Sequence, residues 1–232
     1  MKNFFLMMAC LKIFCLSAAP FSNPEGMLLF VKQFLPENPV ILEAGGHHGE
    51  DTNRMKRLWP QATMHVFEPL PSSFEKLVKN TQHLSCVTCY PYALSYYVGK
   101  APFYFNPKND GASSIGAPVF FNEQEFEKDP LEVPCTTLNV WSGENGISKI
   151  DFMWLDMEGH ELYMLQQATN ILDSVKAIYT EFSFVPIRSE TGLYVDLKAF
   201  LESKGFREVH RLEYGKFGGD VLFMRYSGFN FH

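Results

Sequence analysis

The sequence predicts an α/β chain built on a doubly wound, mainly parallel sheet of seven strands, with an antiparallel C-terminal hairpin and an extra strand pair between strands 3 and 4. Three observations carry this. The apolar run Val40, Ile41, Leu42 ends in Glu43 and passes at once into a turn containing Gly45, Gly46 and Gly49, then into polar helix-starting residues. Strand-like and helix-like segments alternate from there to Leu94, which implies parallel pairing through right-handed crossovers. Near the C-terminus, Phe206 to Tyr214 and Asp220 to Arg225, joined by GKFGG, form a hairpin pattern.

The 232 residues are 46% hydrophobic, enough for one sizeable core. The formal net charge is -6; residues 1–20 contain Lys2, Lys12 and no acid, so the remainder carries -6 minus 2, or -8. With no lysine or arginine run, nucleic acid and anionic membrane surfaces are not expected partners. Residues 1–20 combine an early lysine, an apolar stretch and small residues Ser17, Ala18 and Ala19. This is the layout of a secretory signal, although Lys12 interrupts the apolar run; an N-terminal helix is the alternative, so the location is cytoplasmic or exported. The uninterrupted apolar lengths are too short for a stable membrane span.

Residues 21–38 are expected to form a helical cover, with Met27, Leu28, Val31 and Leu35 at helical spacing, lying over a sheet edge or capping a pocket. Residues 39–232 make up the main domain. After the glycine turn, Thr52 to Trp59 forms the first crossover helix, stopped by Pro60. Thr63 to Phe67 is the second strand, closed by Glu68, and Ser72 to Thr81 the second helix, with Ser72 and Glu75 spaced as a capping box. SCVTCYPYAL reads as one strand ending at Leu94, with Cys86 and Cys89 as buried apolar cysteines, not a redox or zinc pair, and with Cys135 they make an odd number that argues against a disulfide framework. Phe103 to Phe105 and Glu132 to Thr136 are the extra strands, joined by a long polar and aromatic excursion that places Ser113 and Ser114 near the site mouth. Ile150 to Met157 is the fourth main strand, followed by a helix from Glu161 to Leu172; Val175 to Ser183 is the fifth, followed by a helix from Leu193 to Lys204 that ends at Gly205.

The glycine turn has the spacing ExGxxxG, from Glu43 through Gly45 to Gly49, not the GxGxxG of a dinucleotide site. An acidic residue there repels a pyrophosphate and suits a cationic amine, so S-adenosylmethionine (SAM) is the better matched ligand. Glu68 lies at the separation expected of a carboxylate that accepts from ribose hydroxyls.

ILEAGGHHGEDT, HVFEP, YALS at Tyr92 to Ser95, GASS at Gly111 to Ser114, VPCTTL at Val133 to Leu138 and IDFMWLDMEGHEL at Ile150 to Leu162 occur in an order that resembles the FkbM-type methyltransferases, a Rossmann-like branch of the class I SAM-dependent enzymes. The resemblance covers roughly residues 39–225. It implies a cofactor-binding set of Glu43, Ala44, Gly45, Gly46, Gly49, Thr52, Glu68, Pro69, Ala93, Leu94 and Asp156, with Tyr92 to Leu94 beside the adenine. It also implies a hydroxyl acceptor on a sugar or other glycan, lipid or secondary metabolite. One position departs: family members often carry lysine two residues before the aspartate of the LDMEG-like motif, where this chain has Trp154.

Asp156, Glu158, His160 and Glu181 fall at the carboxyl ends of the fourth and fifth strands, where open α/β sheets bind ligands. They are the candidates for orienting the reactants and for taking a proton from an acceptor hydroxyl, Asp156 and Glu158 as positioning groups and His160 as a base. Two other readings stay open. One is a metal-dependent hydrolase or other metal enzyme built from His47 and His48 on the first loop with Asp156, Glu158 and His160, although no fixed metal motif is present. The other is a SAM-binding module without turnover. No resident metal is assigned, and the oligomeric state is not legible.

Overall fold

The structure is a computed structural model that describes residues 21–119 and 123–225, so the leader-like segment lies outside the described residues. The first helix, α1 (Pro24–Lys32), is capped by Asn23, whose side chain accepts from Gly26 N, and buries Met27, Leu28 and Val31. Then come β1 (Val40–Ala44), α2 (Glu50–Leu58), β2 (Thr63–Phe67), α3 (Pro71–Thr81), β3 (Val87–Tyr90), β4 (Ala93–Leu94), β5 (Gly99–Phe103), β6 (Leu131–Thr136) and α4 (Leu138–Glu144). The chain continues through β7 (Phe152–Leu155), α5 (Glu161–Gln166), β8 (Ala177–Ser183), α6 (Tyr194–Ser203), β9 (Phe206–Tyr214) and β10 (Gly218–Arg225).

Seven strands form the main sheet in the order β3-β2-β1-β7-β8-β10-β9. The first five pair in parallel, and β10 runs antiparallel to both β8 and β9. The order runs outward from β1 in one direction and from β7 in the other, so the loops after β1 and β7 diverge at their carboxyl ends and open a crevice. One apolar cluster, including Trp141, Leu165, Phe182 and Phe206, covers one face of the sheet. The other face is covered by Met27, Leu28, Met55 and Trp59, packed on Ile41, Phe152 and Trp154. The α1 helix lies on this sheet face beside α2, with Phe21 just before it set against His210 of the edge strand β9, and none of residues 21–38 lines the pocket.

Several expected elements differ. The strand expected to run to Leu94 stops at Tyr90, since Pro91 has no N–H for the ladder, and β4 joins β6 and β5 in a separate three-stranded sheet. Cys86 is exposed in a left-handed turn (φ 57°) and Cys89 is half-buried; only Cys135 of the three is buried. Pro71 takes the first position of α3 and no side chain caps it, so Ser72 and Glu75 form no capping box. The helix expected to reach Leu172 ends at Gln166. Beyond it Asn139 ties down both Thr169 and Asn170 by side-chain hydrogen bonds that compete with helical pairing. The unexpected α4 starts at a Thr137 cap whose hydroxyl accepts from Val140 N. Among the described residues, no helix is long and apolar enough to cross a membrane.

Candidate active site

The crevice between β1 and β7 holds a cavity of about 300 Å³. Its walls come from the glycine loop, the ends of β2 and β7, β4, and the excursion between β5 and β6. Gly45 makes the close approach possible: its φ is +91°, and a Cβ there would lie 1.9 Å from the carbonyl oxygen of Asp156. The N–H groups of Gly45 and Gly46 both donate to Phe67 O, at 3.0 and 2.9 Å, which locks the loop to the end of β2. Among the described residues, the cavity is lined by the carboxylates Glu50, Asp51, Glu68, Asp110 and Asp156, with His47 and His160 but neither lysine nor arginine. Phe67, Leu94, Phe103 and Ile115 supply apolar wall. Such a site attracts a cation carrying a flat apolar ring and repels a polyphosphate.

Glu68 lies on the wall but already serves the backbone. Its Oε2 accepts from His47 N at 2.9 Å and its Oε1 from Leu70 N at 2.8 Å, joining the glycine loop to the start of α3. Burial raises its pKa to about 7 against the opposing pull of those two bonds. Ala44, Gly46, Pro69, Ala93 and Leu94 also line the cavity, Ala93 and Leu94 from the small sheet instead of the main one. Glu43, Gly49 and Thr52 stand one layer behind. Glu43 is buried and its Oε2 accepts from Thr52 Oγ1 at 2.6 Å, while Gly49 caps α2 with φ +89°.

Asp110 straps the excursion to the glycine loop. Its Oδ1 lies 2.9 Å from His47 Nε2 and its Oδ2 3.0 Å from His48 Nε2, and Lys76 Nζ donates to Oδ2 at 3.1 Å. The two imidazoles stack with centroids 3.6 Å apart. Burial would raise the Asp110 pKa, but the bonds from His47, Lys76 and His48 outweigh it and hold the carboxyl below its ordinary value. No sequence motif marked Asp110; only its place just before the GASS stretch hinted at a role. Ser113 and Ser114 line the cavity as expected.

At the floor, Asp156 opens onto the cavity although it lies deep in the fold. That depth, followed by repulsion from Glu158 and Glu161, pushes its pKa well up. Glu158 adopts φ 56° and accepts from Arg188 Nη2 at 3.0 Å. Arg188 is 1% exposed and also donates to Ala112 O, so it ties the β7 loop to the excursion. Its isolated place in a loop gave no sequence signal. Glu181, from β8, is off the cavity wall but within the same cluster: ligand-capable oxygens of Asp156, Glu158 and Glu181 lie within 4.8 Å of one another. Glu161 accepts from Met157 N at 2.7 Å and is pushed up to about 7 by burial.

His160 touches the cavity but its nitrogens are turned inward. Nε2 lies 3.0 Å from Ser95 Oγ and Nδ1 3.4 Å from Glu190 Oε2, and burial lowers its pKa to about 4. His47 and His48, held by Asp110, and His160, held by Ser95, do not converge with Asp156 and Glu158 on one donor set. Among the described residues the metal-capable groups are separate, His47 with His48 and Glu50 on one side and Asp156 with Glu158 and Glu181 on the other, so the shared centre weighed from the sequence is not assembled. Trp154 lies in the core on the sheet face, 4.6 Å from the Tyr179 ring.

A sheet of this order, with an acidic ligand cavity at its switch point, defines a Rossmann-like nucleotide-cofactor fold of the methyltransferase type. Residues 43–208 match the family model described as the methyltransferase FkbM domain. The chain belongs to the FkbM methyltransferase family, a class of SAM-dependent enzymes. Among similar proteins, the 2-O-methyltransferase NoeI of Sinorhizobium fredii (strain NBRC 101917 / NGR234) is 29% identical over 157 residues, 63% of this chain and 64% of NoeI. Methyltransferase 1 of Beauveria bassiana (strain ARSEF 2860) is 26% identical over 190 residues, 74% of this chain and 73% of that protein. The crystal structure of methyltransferase FkbM from Methylobacillus flagellatus KT superposes with a TM-score of 0.56 at 13% identity, covering 88% of this chain and 48% of that one. Aeropyrum pernix fibrillarin, crystallised with natively bound SAM, gives 0.50 at 9% identity, covering 85% and 73%. At these identities the two solved structures speak for the fold.

Proposed function

We propose that the chain transfers the methyl group of SAM to a hydroxyl oxygen of a small-molecule or glycan acceptor, on a sugar, lipid or secondary metabolite. The observation that carries this is the cavity at the sheet's switch point, where, among the described residues, five carboxylates, Glu50, Asp51, Glu68, Asp110 and Asp156, line the wall with no lysine or arginine. The family supports the reaction class, and the 2-O-methyltransferase named among the similar proteins supports oxygen as the acceptor atom.

The residues fit the cofactor. Gly45 and Gly46 give a wall without side chains, Glu68 offers its remaining lone pairs to hydroxyls, and Phe67, Leu94 and Ile115 offer apolar surface to a base. SAM supplies an activated methyl on a good leaving group, so the protein's task is mainly alignment and exclusion of water. Asp156 is the group placed to accept the acceptor's proton, since its carboxyl is open to the cavity. His160 is a positioning residue that braces the loop after β7 against Ser95.

Calorimetric titration of the full chain with S-adenosylhomocysteine tests the reading. Micromolar binding is expected, retained in Asp156→Asn while methyl transfer falls at least about 100-fold. A folded chain that binds neither SAM nor S-adenosylhomocysteine would overturn it.

A further inference from the structure

The carboxylates at the crevice floor are short of positive charge. Asp156, Glu158 and Glu181 come from two different strand ends, yet one oxygen of each lies within 4.8 Å of the others. Among the described residues one cation, Arg188, pairs with this cluster, through Glu158. With all three ionised, as a bound cation requires, one guanidinium leaves an excess of two negative charges. Hydrogen bonding does not relieve it: Glu181 Oε2 is shut off from solvent and has no hydrogen-bond partner. A buried acceptor left without a donor is costly, and it is retained where something else supplies the missing partner. The neighbouring acid Asp220 brings no positive charge, and its Oδ2 accepts from the hydroxyls of Tyr179 and Tyr214, each at 2.7 Å.

We propose that Asp156, Glu158 and Glu181 bind one divalent cation, magnesium or manganese, which also takes the hydroxyl oxygen of the methyl acceptor. The donor set is all oxygen, with no histidine or cysteine, which selects a hard cation. A metal held by three carboxylates at one side keeps open positions toward the cavity, where Asp156 is exposed. Bound there, the acceptor hydroxyl is acidified: its O–H bond breaks with the proton passing to the free oxygen of Asp156, an O–C bond forms to the methyl carbon, and the C–S bond breaks with its electron pair staying on sulfur. The competing occupant of the same charge deficit is the ammonium group of the cofactor itself.

The role in catalysis rests on the methyltransferase reading above; metal binding by the cluster does not, so the two are tested separately. Mn²⁺ is titrated into the full chain, with and without S-adenosylhomocysteine, and free Mn²⁺ is read by electron paramagnetic resonance. S-adenosylhomocysteine affinity is measured in EDTA. One saturable Mn²⁺ site is expected, displaced by Mg²⁺ and weakened at least about tenfold in both Glu181→Gln and Asp156→Asn, with cofactor-product affinity in EDTA unchanged by Glu181→Gln within about twofold. Thermal melts support the same result if Mn²⁺ raises the midpoint of the wild type and not of Glu181→Gln. Absence of saturable Mn²⁺ binding, or binding indifferent to both substitutions, overturns the proposal. Loss of S-adenosylhomocysteine binding in Glu181→Gln without Mn²⁺ binding in the wild type also overturns it, assigning the cluster to the cofactor amine. Failure of folded wild type to bind S-adenosylhomocysteine counts against the methyltransferase reading and leaves the Mn²⁺ result legible.

Discussion

The two sides of the cavity handle acidic groups in opposite ways. At the strap, one carboxylate, Asp110, is met by His47, His48 and Lys76, and its pKa is held down. At the floor, Arg188 pairs with Glu158, and the pKa values of Asp156, Glu158 and Glu181 are pushed up, in each case with burial as the leading cause. The strap is complete by itself and holds two loops together. The floor is incomplete until a cation arrives, which is what a binding site requires and a purely structural cluster does not.

The contrast is broken most severely by Arg188→Met. It leaves Glu158 as an uncompensated charge and cuts the tie to Ala112, so a loss of about 3–5 kcal/mol in urea unfolding is expected. A loss below about 1 kcal/mol would show that the floor relaxes without its guanidinium. Asp110→Asn is the matching change at the strap. The amide keeps one acceptor oxygen but loses the charge, so a smaller cost of about 1 kcal/mol is expected, with faster hydrogen exchange in residues 106–116 and weaker S-adenosylhomocysteine binding. Unchanged exchange would remove Asp110 from the closure of the cavity.

The two regions also titrate in opposite senses. Asp110, with its folded pKa lowered, contributes stability that is present above the ordinary value of 3.8 and is lost as pH falls below it. Raised carboxyls do the reverse. Glu68 and Glu161, at about 7 against 4.5, bind protons that the unfolded chain does not, so their contribution is full below 4.5 and declines as pH rises to 7. Glu181, raised well above 4.5, acts in the same direction. Melting curves across pH should therefore show Asp110→Asn flattening the acid limb and Glu181→Gln flattening the limb above pH 4.5. In the absence of divalent metal, Glu181→Gln is expected to be the mildest change and a stabilising one, by about 1 kcal/mol or less near pH 7.5, since it removes a carboxyl whose charged form burial penalises. A destabilised variant in EDTA would show that Glu181 has a protein partner after all.

Much of the fold is legible along the chain because its signals are local. The β2 strand is bounded by Thr63 and Phe67 as the following Glu68-Pro69 suggests, and Gly205 ends its helix with φ +85° as a left-handed terminus requires. The glycine turn likewise shows in the sequence, since Gly45 and Gly49 are needed wherever φ is positive and the backbone is crowded. What went astray was long-range. The separate small sheet was hidden because an apolar strand reads the same whichever sheet it joins, and Pro91 marks a break without saying where the chain goes next.

The site divides on the same line. Residue type and spacing by themselves determined that acidic groups end β1, β2, β7 and β8, and that the loop after β1 suits a cationic cofactor over a pyrophosphate. Only tertiary structure decided which acids face the cavity: Glu43 turned to Thr52, Glu181 joined Asp156, and His160 turned to Ser95. It also brought in Asp110 and Arg188, which are 78 residues apart in the sequence (188 minus 110) and carry no motif, yet tie the excursion to the loops after β1 and β7. The physical reason is that a carboxylate's role is set by the charges and donors within a few ångströms of it, and those come from segments remote in the chain.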